Sequence, residues 1–141
     1  MDPIRAALTL CVVALSSGCY STLVLHTQKH ANDDRRFYVV VRQVPEAQFA
    51  SEPYEKIADA VFPAVPDEST RAVRWVTPGR VTRVSVRVRE LLKPVDQQRP
   101  VAVYALVTSP GEAWKVLLTP PLLPRYDFDV VGNRLMLRVR R

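Results

Sequence analysis

Residues 127–139 read DFDVVGNRLMLRV, and this stretch shows most directly how the chain folds. Two short β-prone runs flank a Gly-Asn pair at 132–133, which is typical of a two-residue hairpin turn. The turn sets a register in which Asp127 stands opposite Arg138 on one face. On the other face it pairs apolar residues, Val130 with Leu135 and Phe128 with Leu137. Because apolar meets apolar and acid meets base, the stretch predicts an antiparallel hairpin with one buried face.

The same kind of pattern recurs upstream. Residues 83–89, RVSVRVR, alternate with a period of two, which predicts a strand with its valines buried and its arginines in water. Residues 101–107, VAVYALV, lack this alternation and predict a central strand covered on both faces. Residues 114–118, WKVLL, follow a Ser-Pro-Gly turn and should return antiparallel beside it. Further β-prone runs lie at residues 21–27, 37–44 and 74–77.

One helix is predicted in the first half of the chain. Pro53 suits a first helical turn, and Tyr54, Ile57, Ala58 and Val61 recur at helical spacing. The helix should end near Phe62 and depend on packing against a sheet. Residues 28–36 are polar throughout and predict a loop, which we expect to join the runs before and after it as a hairpin.

Length and composition fit one domain. The chain has 141 residues, 48% of them hydrophobic, with 12 Pro and only 4 Gly. Many prolines between short apolar runs suit strands that end in rigid turns. The prediction is a single mainly β domain over residues 19–141, a β-sandwich of about seven or eight strands with one short inserted helix.

The first residues predict export. Residues 1–18, MDPIRAALTLCVVALSSG, combine one Arg, a short apolar run and a small-residue exit, as in a secretory signal peptide. The run is shorter than the roughly 20 residues that a membrane-spanning helix needs. Cys19 follows directly, in the position of a lipobox cysteine whose thiol is acylated. The alternatives are ordinary secretion and a cytosolic start. Since Tyr20 rather than Asp follows the cysteine, the expected location is the outer membrane, facing the periplasm.

Candidate chemistry is sparse. The net charge of +6 would suit nucleic acid, but a periplasmic location makes that partner unexpected, and the arginines are explained by the strands. His26 and His30 are four apart but run from a strand into a loop, so no metal site is predicted. No Ser elbow or phosphate-binding glycine loop is present. Trp114 and Tyr104 are interpreted as core residues. We therefore expect no enzyme, no cofactor other than lipid on Cys19, and no small-molecule substrate.

The order of motifs resembles the TssJ family, the outer-membrane lipoproteins of type VI secretion systems. The resemblance covers the chain from Cys19 onward and is carried by VVVRQV at residues 39–44, the helical segment after Phe49, TPGR at residues 77–80, and VAVYALV followed by WK. It implies a transthyretin-like sandwich. It also implies that the protein anchors the secretion membrane complex by binding the periplasmic domain of a TssM-like inner-membrane protein.

In that family the loop between the first two strands makes the contact. Placed on this sequence, the resemblance implies a partner-binding loop formed by Gln28, Lys29, His30, Asn32, Asp33, Asp34, Arg35 and Arg36. A charged, polar loop can provide electrostatic specificity without catalysis. Two other interpretations stay open, a periplasmic ligand-binding module and a pilotin-like envelope-assembly lipoprotein.

Overall fold

Two four-stranded sheets pack face to face in the computed structural model, which describes residues 20–62 and 67–139. In this part of the chain there are eight strands: β1 (Tyr20–Thr27), β2 (Phe37–Arg42), β3 (Thr70–Val76), β4 (Val81–Arg87), β5 (Val101–Leu106), β6 (Lys115–Leu118), β7 (Arg125–Val131) and β8 (Arg134–Leu137). Two short helices, α1 (Glu46–Ser51) and α2 (Tyr54–Asp59), follow β2. Short 3-10 turns cover Ala31–Asp34, Arg89–Leu92 and Val95–Gln97.

The first sheet has the order β4-β1-β7-β8 and the second the order β3-β2-β5-β6. β1 pairs antiparallel with β4 and parallel with β7. The predicted hairpin of the first two strands is therefore wrong, because β1 and β2 lie in different sheets. The polar loop between them crosses from one sheet to the other, and the nine residues between the two strands give it enough length to do so.

The main core fills the space between the sheets. Alternation decides which side chains enter it, as in β4, where Val84 and Val86 are buried while Arg83 and Arg87 are exposed. Phe128 from β7 and Phe37 from β2 are its largest side chains. The sandwich predicted from the strand patterns is thus confirmed.

A second apolar cluster lies on the outer face of the second sheet. Ile57 of α2 packs there with Val40, Tyr104 and Trp114, and all four are buried. The helices cover this face, so β5 is buried on both sides, as the unbroken apolar run VAVYALV predicts. The core role of Tyr104 and Trp114 is confirmed.

The structure adds one helix to the single helix predicted. α2 lies within the predicted region, whereas α1 was not foreseen, because none of its residues is buried and it has no apolar stripe.

Charged side chains hold the two helices to the second sheet. Arg42 of β2 forms an ion pair with Glu52, which lies between the helices, and both side chains are almost fully buried. Lys115 Nζ donates to the Phe49 carbonyl at 2.5 Å, near the end of α1.

The terminal hairpin has the predicted register. Val130 pairs with Leu135 and Phe128 with Leu137, and the Arg138 amide donates to the Asp127 carbonyl at 2.8 Å. The charged side chains, however, do not form the predicted pair of Asp127 with Arg138. Arg138 forms its ion pair with Asp129 at 2.6 Å, and Asp127 is held by Arg125 at 3.1 Å.

The strands define two ends of the sandwich. At the N-terminal pole lie the starts of β1, β3, β5 and β7 and the ends of β2, β4, β6 and β8. At the loop pole lie four loops, at residues 28–36, 77–80, 107–114 and 132–133. The eight residues of β1 separate the poles by about 25 Å, at about 3.3 Å per residue.

Candidate functional site

Hydrogen bonds join the loops of the loop pole into one surface. The Gln28 amide donates to the Val130 carbonyl at 3.0 Å, and the Gln28 carbonyl accepts from the Gly79 amide at 3.1 Å. The Asn133 side chain reaches the Ser109 carbonyl at 2.7 Å. Each loop is thereby tied to a neighbour, which gives the polar loop at residues 28–36 a fixed support.

Asn32 is the structural centre of that loop. Its side chain is buried, and its Oδ1 accepts from the Thr108 amide at 2.7 Å. Its Nδ2 donates to the Arg35 carbonyl at 3.0 Å, and its own amide donates to the Gly132 carbonyl at 2.8 Å. Of the eight residues implied as partner-binding, Asn32 is therefore the one that holds the loop in place, while the other seven are exposed.

The backbone around Asn32 is unusual. Asn32, Asp33 and Asp34 have φ values of 52°, 51° and 62°, so three consecutive non-glycine residues occupy the left-handed region. Asn and Asp tolerate this region better than other residues, yet a run of three stores strain. The hydrogen bonds of Asn32 hold the run, and they present the side chains on either side of it in a fixed arrangement.

The exposed rim of the loop carries both signs of charge. Asp33 and Asp34 are followed directly by Arg35 and Arg36, with Lys29 before them. The His30 Nδ1 lies 2.9 Å from the Asp34 carboxylate, across an exposed pair. A surface that carries both signs of charge favours one orientation of a bound protein over others, and it influences the rate of encounter more than the affinity.

An aromatic patch, defined by Tyr38, Phe62 and Trp75, borders this loop. The ring centroids of Tyr38 and Trp75 are 4.2 Å apart, and those of Tyr38 and Phe62 are 5.6 Å apart. Phe62 is 77% exposed and Trp75 48% exposed. Large aromatic side chains in water at the rim of a charged loop are typical of protein interfaces.

The patch was missed in the sequence. A signal for Trp75 exists. Ala72 and Val76 are buried on one face of β3, so Trp75 lies on the opposite face. β3 is also an edge strand. Phe62 offers no such signal, because it lies after the end of α2 and outside any helix or strand whose periodicity could indicate its exposure.

A separate set of charged groups forms an ion-pair ladder along the first sheet. The His26 Nε2 lies 3.1 Å from Asp127 Oδ1, and the Arg125 and Arg138 pairs lie beside it. The hydrogen bond from Arg138 holds the pKa of Asp129 below its usual range. The Asp129 carboxylate thus stays ionised and paired with Arg138, which suits a stabilising role better than proton transfer.

The space between the sheets near the N-terminal pole holds an apolar cavity of about 10 Å³, lined by residues such as Leu23, Val101 and Leu122, which is room for about one water molecule. Within residues 20–62 and 67–139, no group of three or more His, Cys, Asp or Glu side chains could hold a metal ion.

The predicted signal peptide and Cys19 lie outside the described residues. Among the residues that are described, no helix has the length and apolar character to cross a membrane.

The fold is that of a small β-sandwich of two four-stranded sheets, with four loops gathered at one end. The chain belongs to the family of IglE N-terminal domains, whose family model matches residues 38–130. No curated protein matches the chain.

Solved structures with the same fold come from type VI secretion systems. Lip of Serratia marcescens, a membrane-bound component of such a system, superposes with a TM-score of 0.66 at 14% identity, over 87% of this chain and 98% of that one. The lipoprotein TssJ1 of Pseudomonas aeruginosa gives 0.64 at 14% identity, over 86% and 96%. A chain in the structure of the TssM C-terminal domain from EAEC gives 0.64 at 19% identity, over 86% and 98%. The resemblance to TssJ lipoproteins is thus confirmed in the fold.

Proposed function

We propose that this protein is an outer-membrane lipoprotein that anchors a type VI secretion membrane complex. In this proposal Cys19 carries the lipid, the sandwich lies in the periplasm, and the loop pole binds the periplasmic domain of a TssM-like inner-membrane protein. The protein acts as an adaptor rather than an enzyme. The family match and the shared fold support the class of function, and the residues of the loop pole support the site.

One observation carries the proposal, namely the rigidly supported charged loop at the pole opposite the start of β1. A protein that links a membrane to a partner needs its attachment and its recognition surface at different ends. Tyr20, the residue after Cys19, begins β1 at one pole, and the loop at residues 28–36 begins where β1 ends at the other. A fixed loop also binds with a smaller loss of conformational entropy than a mobile one.

The partner is tested by affinity capture from detergent-solubilised envelopes. The wild-type chain should retain a large inner-membrane protein with a TssM-like periplasmic domain. A loop variant, Asp33→Asn/Asp34→Asn/Arg35→Gln/Arg36→Gln, should lose most of it. Asn is chosen at positions 33 and 34 because it tolerates the left-handed backbone there, so the charges are removed while the loop shape is kept.

A matched control removes four charges elsewhere. Glu55→Gln, Lys56→Gln, Asp59→Asn and Arg83→Gln change exposed side chains on α2 and β4 and should leave capture unchanged. Equal capture by the loop variant and the wild type would contradict the contact site. Absence of any such protein from the wild-type sample would contradict the adaptor function itself.

Lipid attachment is tested by labelling cells with a palmitate analogue. The wild-type protein should carry the label and the Cys19→Ser variant should not. Cys11→Ser is the control, since Cys11 lies inside the predicted signal peptide and should leave labelling intact. Label on the Cys19→Ser variant would contradict acylation at that residue.

A further inference from the structure

We infer that the N-terminal pole is a docking surface for an anionic phospholipid bilayer. The inference extends the anchoring part of the proposed function, because it gives the folded domain its own contact with the membrane to which Cys19 would attach it. It is carried by two features of this pole, an apolar rim and a cationic groove.

The apolar rim consists of four exposed side chains from three separate segments. Leu92 is 60% exposed, Val95 53%, Leu123 50% and Tyr20 45%. They account for four of the nine large hydrophobic side chains that are exposed among the described residues. Exposed apolar side chains gathered at one end of a small domain mark an interaction surface rather than ordinary surface.

Hydrogen bonds hold these segments together. The Ser21 hydroxyl donates to the Leu123 carbonyl at 2.8 Å, which ties the start of β1 to the segment before β7. The Leu122 amide donates to Gln98 Oε1 at 2.9 Å, and the Gln98 side chain donates to the Lys93 carbonyl at 3.2 Å. The rim is therefore a fixed surface rather than a set of independent loops.

The cationic groove lies beside the rim. It is an open groove of about 950 Å³ lined by Gln43, Glu68, Thr70, Arg71, Arg87, Lys93 and Arg99. Four of these residues are cations and one is an acid, and all four cations are exposed. Arg87 stands opposite Tyr20 in the β1–β4 register, and Lys93 directly follows Leu92, so the groove and the rim are continuous.

This combination matches the interface of a bilayer. Each Lys or Arg near an anionic membrane surface strengthens membrane binding about fivefold. Tyr side chains are favoured at the level of the lipid headgroups. Apolar side chains from a short turn such as Arg89–Leu92 can enter the boundary between headgroups and acyl chains. The pole also begins one residue after Cys19, so a lipid on that residue would hold this surface against the membrane.

The test measures vesicle binding by the full chain carrying Cys19→Ser, which removes the acyl chain. Vesicles contain phosphatidylethanolamine with phosphatidylglycerol, or phosphatidylcholine alone. The parent should bind the phosphatidylglycerol vesicles preferentially. Leu92→Ser/Val95→Ser should weaken that binding about tenfold, because two half-exposed apolar side chains are lost. Arg71→Gln/Arg87→Gln should remove the preference for the anionic lipid.

Matched controls lie away from this pole. Val81→Ser removes an apolar side chain that is 51% exposed, and Arg74→Gln/Arg83→Gln removes two exposed cations. Both should bind as the parent does. All variants keep the same residues 1–19 apart from the shared Cys19→Ser, so differences among them report on the folded domain.

Hydrogen exchange gives a second measurement on the same samples. Phosphatidylglycerol vesicles should protect the backbone amides of residues 91–93, 95–98 and 122–123 and leave those of residues 77, 79 and 80 unchanged. Equal protection at both poles, or equal binding by the parent and the Leu92→Ser/Val95→Ser variant, would overturn the inference. Neither measurement involves a protein partner or an acyl chain, so failure here is distinct from failure of the proposed function.

Discussion

Asn32 shows how one buried polar side chain can determine the shape of an exposed charged loop. Its amide group bonds the Thr108 amide and the Arg35 carbonyl, and its backbone adopts the left-handed region that few residues accept. The exposed charges around it depend on this arrangement for their positions. In a sequence of polar loop residues Asn32 is indistinguishable from its neighbours, so its burial could not be foreseen.

Replacing Asn32 should destabilise the protein more than replacing Asp33. Asn32→Ala leaves the Thr108 amide without its acceptor and should lower the free energy of unfolding by about 2–3 kcal/mol. Asp33→Ala removes an exposed side chain and places Ala at a similar φ. Backbone strain alone should then lower the free energy of unfolding by about 1 kcal/mol. Urea unfolding of both variants measures the difference. Equal losses would show that the hydrogen bonds of Asn32 contribute nothing beyond strain.

Tyr104 predicts how stability responds to alkaline pH. Burial, followed by the charge of Glu52, raises its pKa to about 12. In the unfolded chain the phenol ionises near its ordinary pKa of 10.0. Between these values the unfolded state binds fewer protons than the folded state, so stability falls as pH rises. Burial raises the pKa of Tyr54 and of Tyr126 as well, which adds to the same trend.

The measurement is the free energy of unfolding as a function of pH, for the wild type and for Tyr104→Phe. The wild type should lose stability above pH 10, and the variant should lose less over the same interval. Tyr20→Phe, at a residue that is 45% exposed, is measured alongside as a control for the Tyr→Phe substitution itself. A wild type and Tyr104→Phe variant with identical slopes would refute the assignment.

Among the secondary-structure elements, the helical pair depends on buried charge as well as on apolar packing. Arg42 also contacts Asp67 at 3.1 Å and the Ser69 hydroxyl at 3.0 Å, so it joins β2, the helical pair and the segment before β3. The hydrogen bond from Ser69 is the main cause that lowers the pKa of Asp67. Removing one member of such a network leaves a buried charge with one partner fewer, which lowers stability.

Glu52→Ala should therefore lower the free energy of unfolding by about 3–5 kcal/mol, because it leaves the buried Arg42 guanidinium without its closest partner. The double variant Arg42→Met/Glu52→Leu should recover most of that loss, since two apolar side chains of similar volume replace the pair. Chemical denaturation of the single and double variants measures the difference. A double variant that is less stable than Glu52→Ala would show that the ion pair itself is strongly stabilising.

Sequence patterns predicted correctly those elements whose contacts are made between residues close together in the chain. The β7–β8 hairpin has the predicted register because a two-residue turn and its flanking apolar residues determine it. The pairing of β1 was mispredicted because it is made with β4 and β7, far along the chain, and nothing in residues 20–27 specifies those partners. The candidate loop was located correctly as a loop, but the aromatic patch beside it depends on tertiary placement.

At the scale of the whole molecule, the sandwich separates two surfaces with different chemistry. The loop pole carries charges of both signs with aromatic side chains at its border, whereas the N-terminal pole carries mainly cations with aliphatic side chains. A rigid two-sheet core joins them, and the poles are about 25 Å apart along β1. This exceeds the Debye length of about 8 Å at physiological salt, so a charge at one pole has little influence at the other.

The two surfaces should therefore bind independently. The variant Asp33→Asn/Asp34→Asn/Arg35→Gln/Arg36→Gln should bind phosphatidylglycerol vesicles within about twofold of the parent, because its lost charges lie beyond the screening distance. Leu92→Ser/Val95→Ser should likewise keep full capture of the inner-membrane partner in detergent. Both measurements belong in one experiment, with each variant tested against both ligands. If either variant weakens both interactions about equally, the poles are coupled or the domain has lost its fold, and the unfolding curves of the same samples separate these two outcomes.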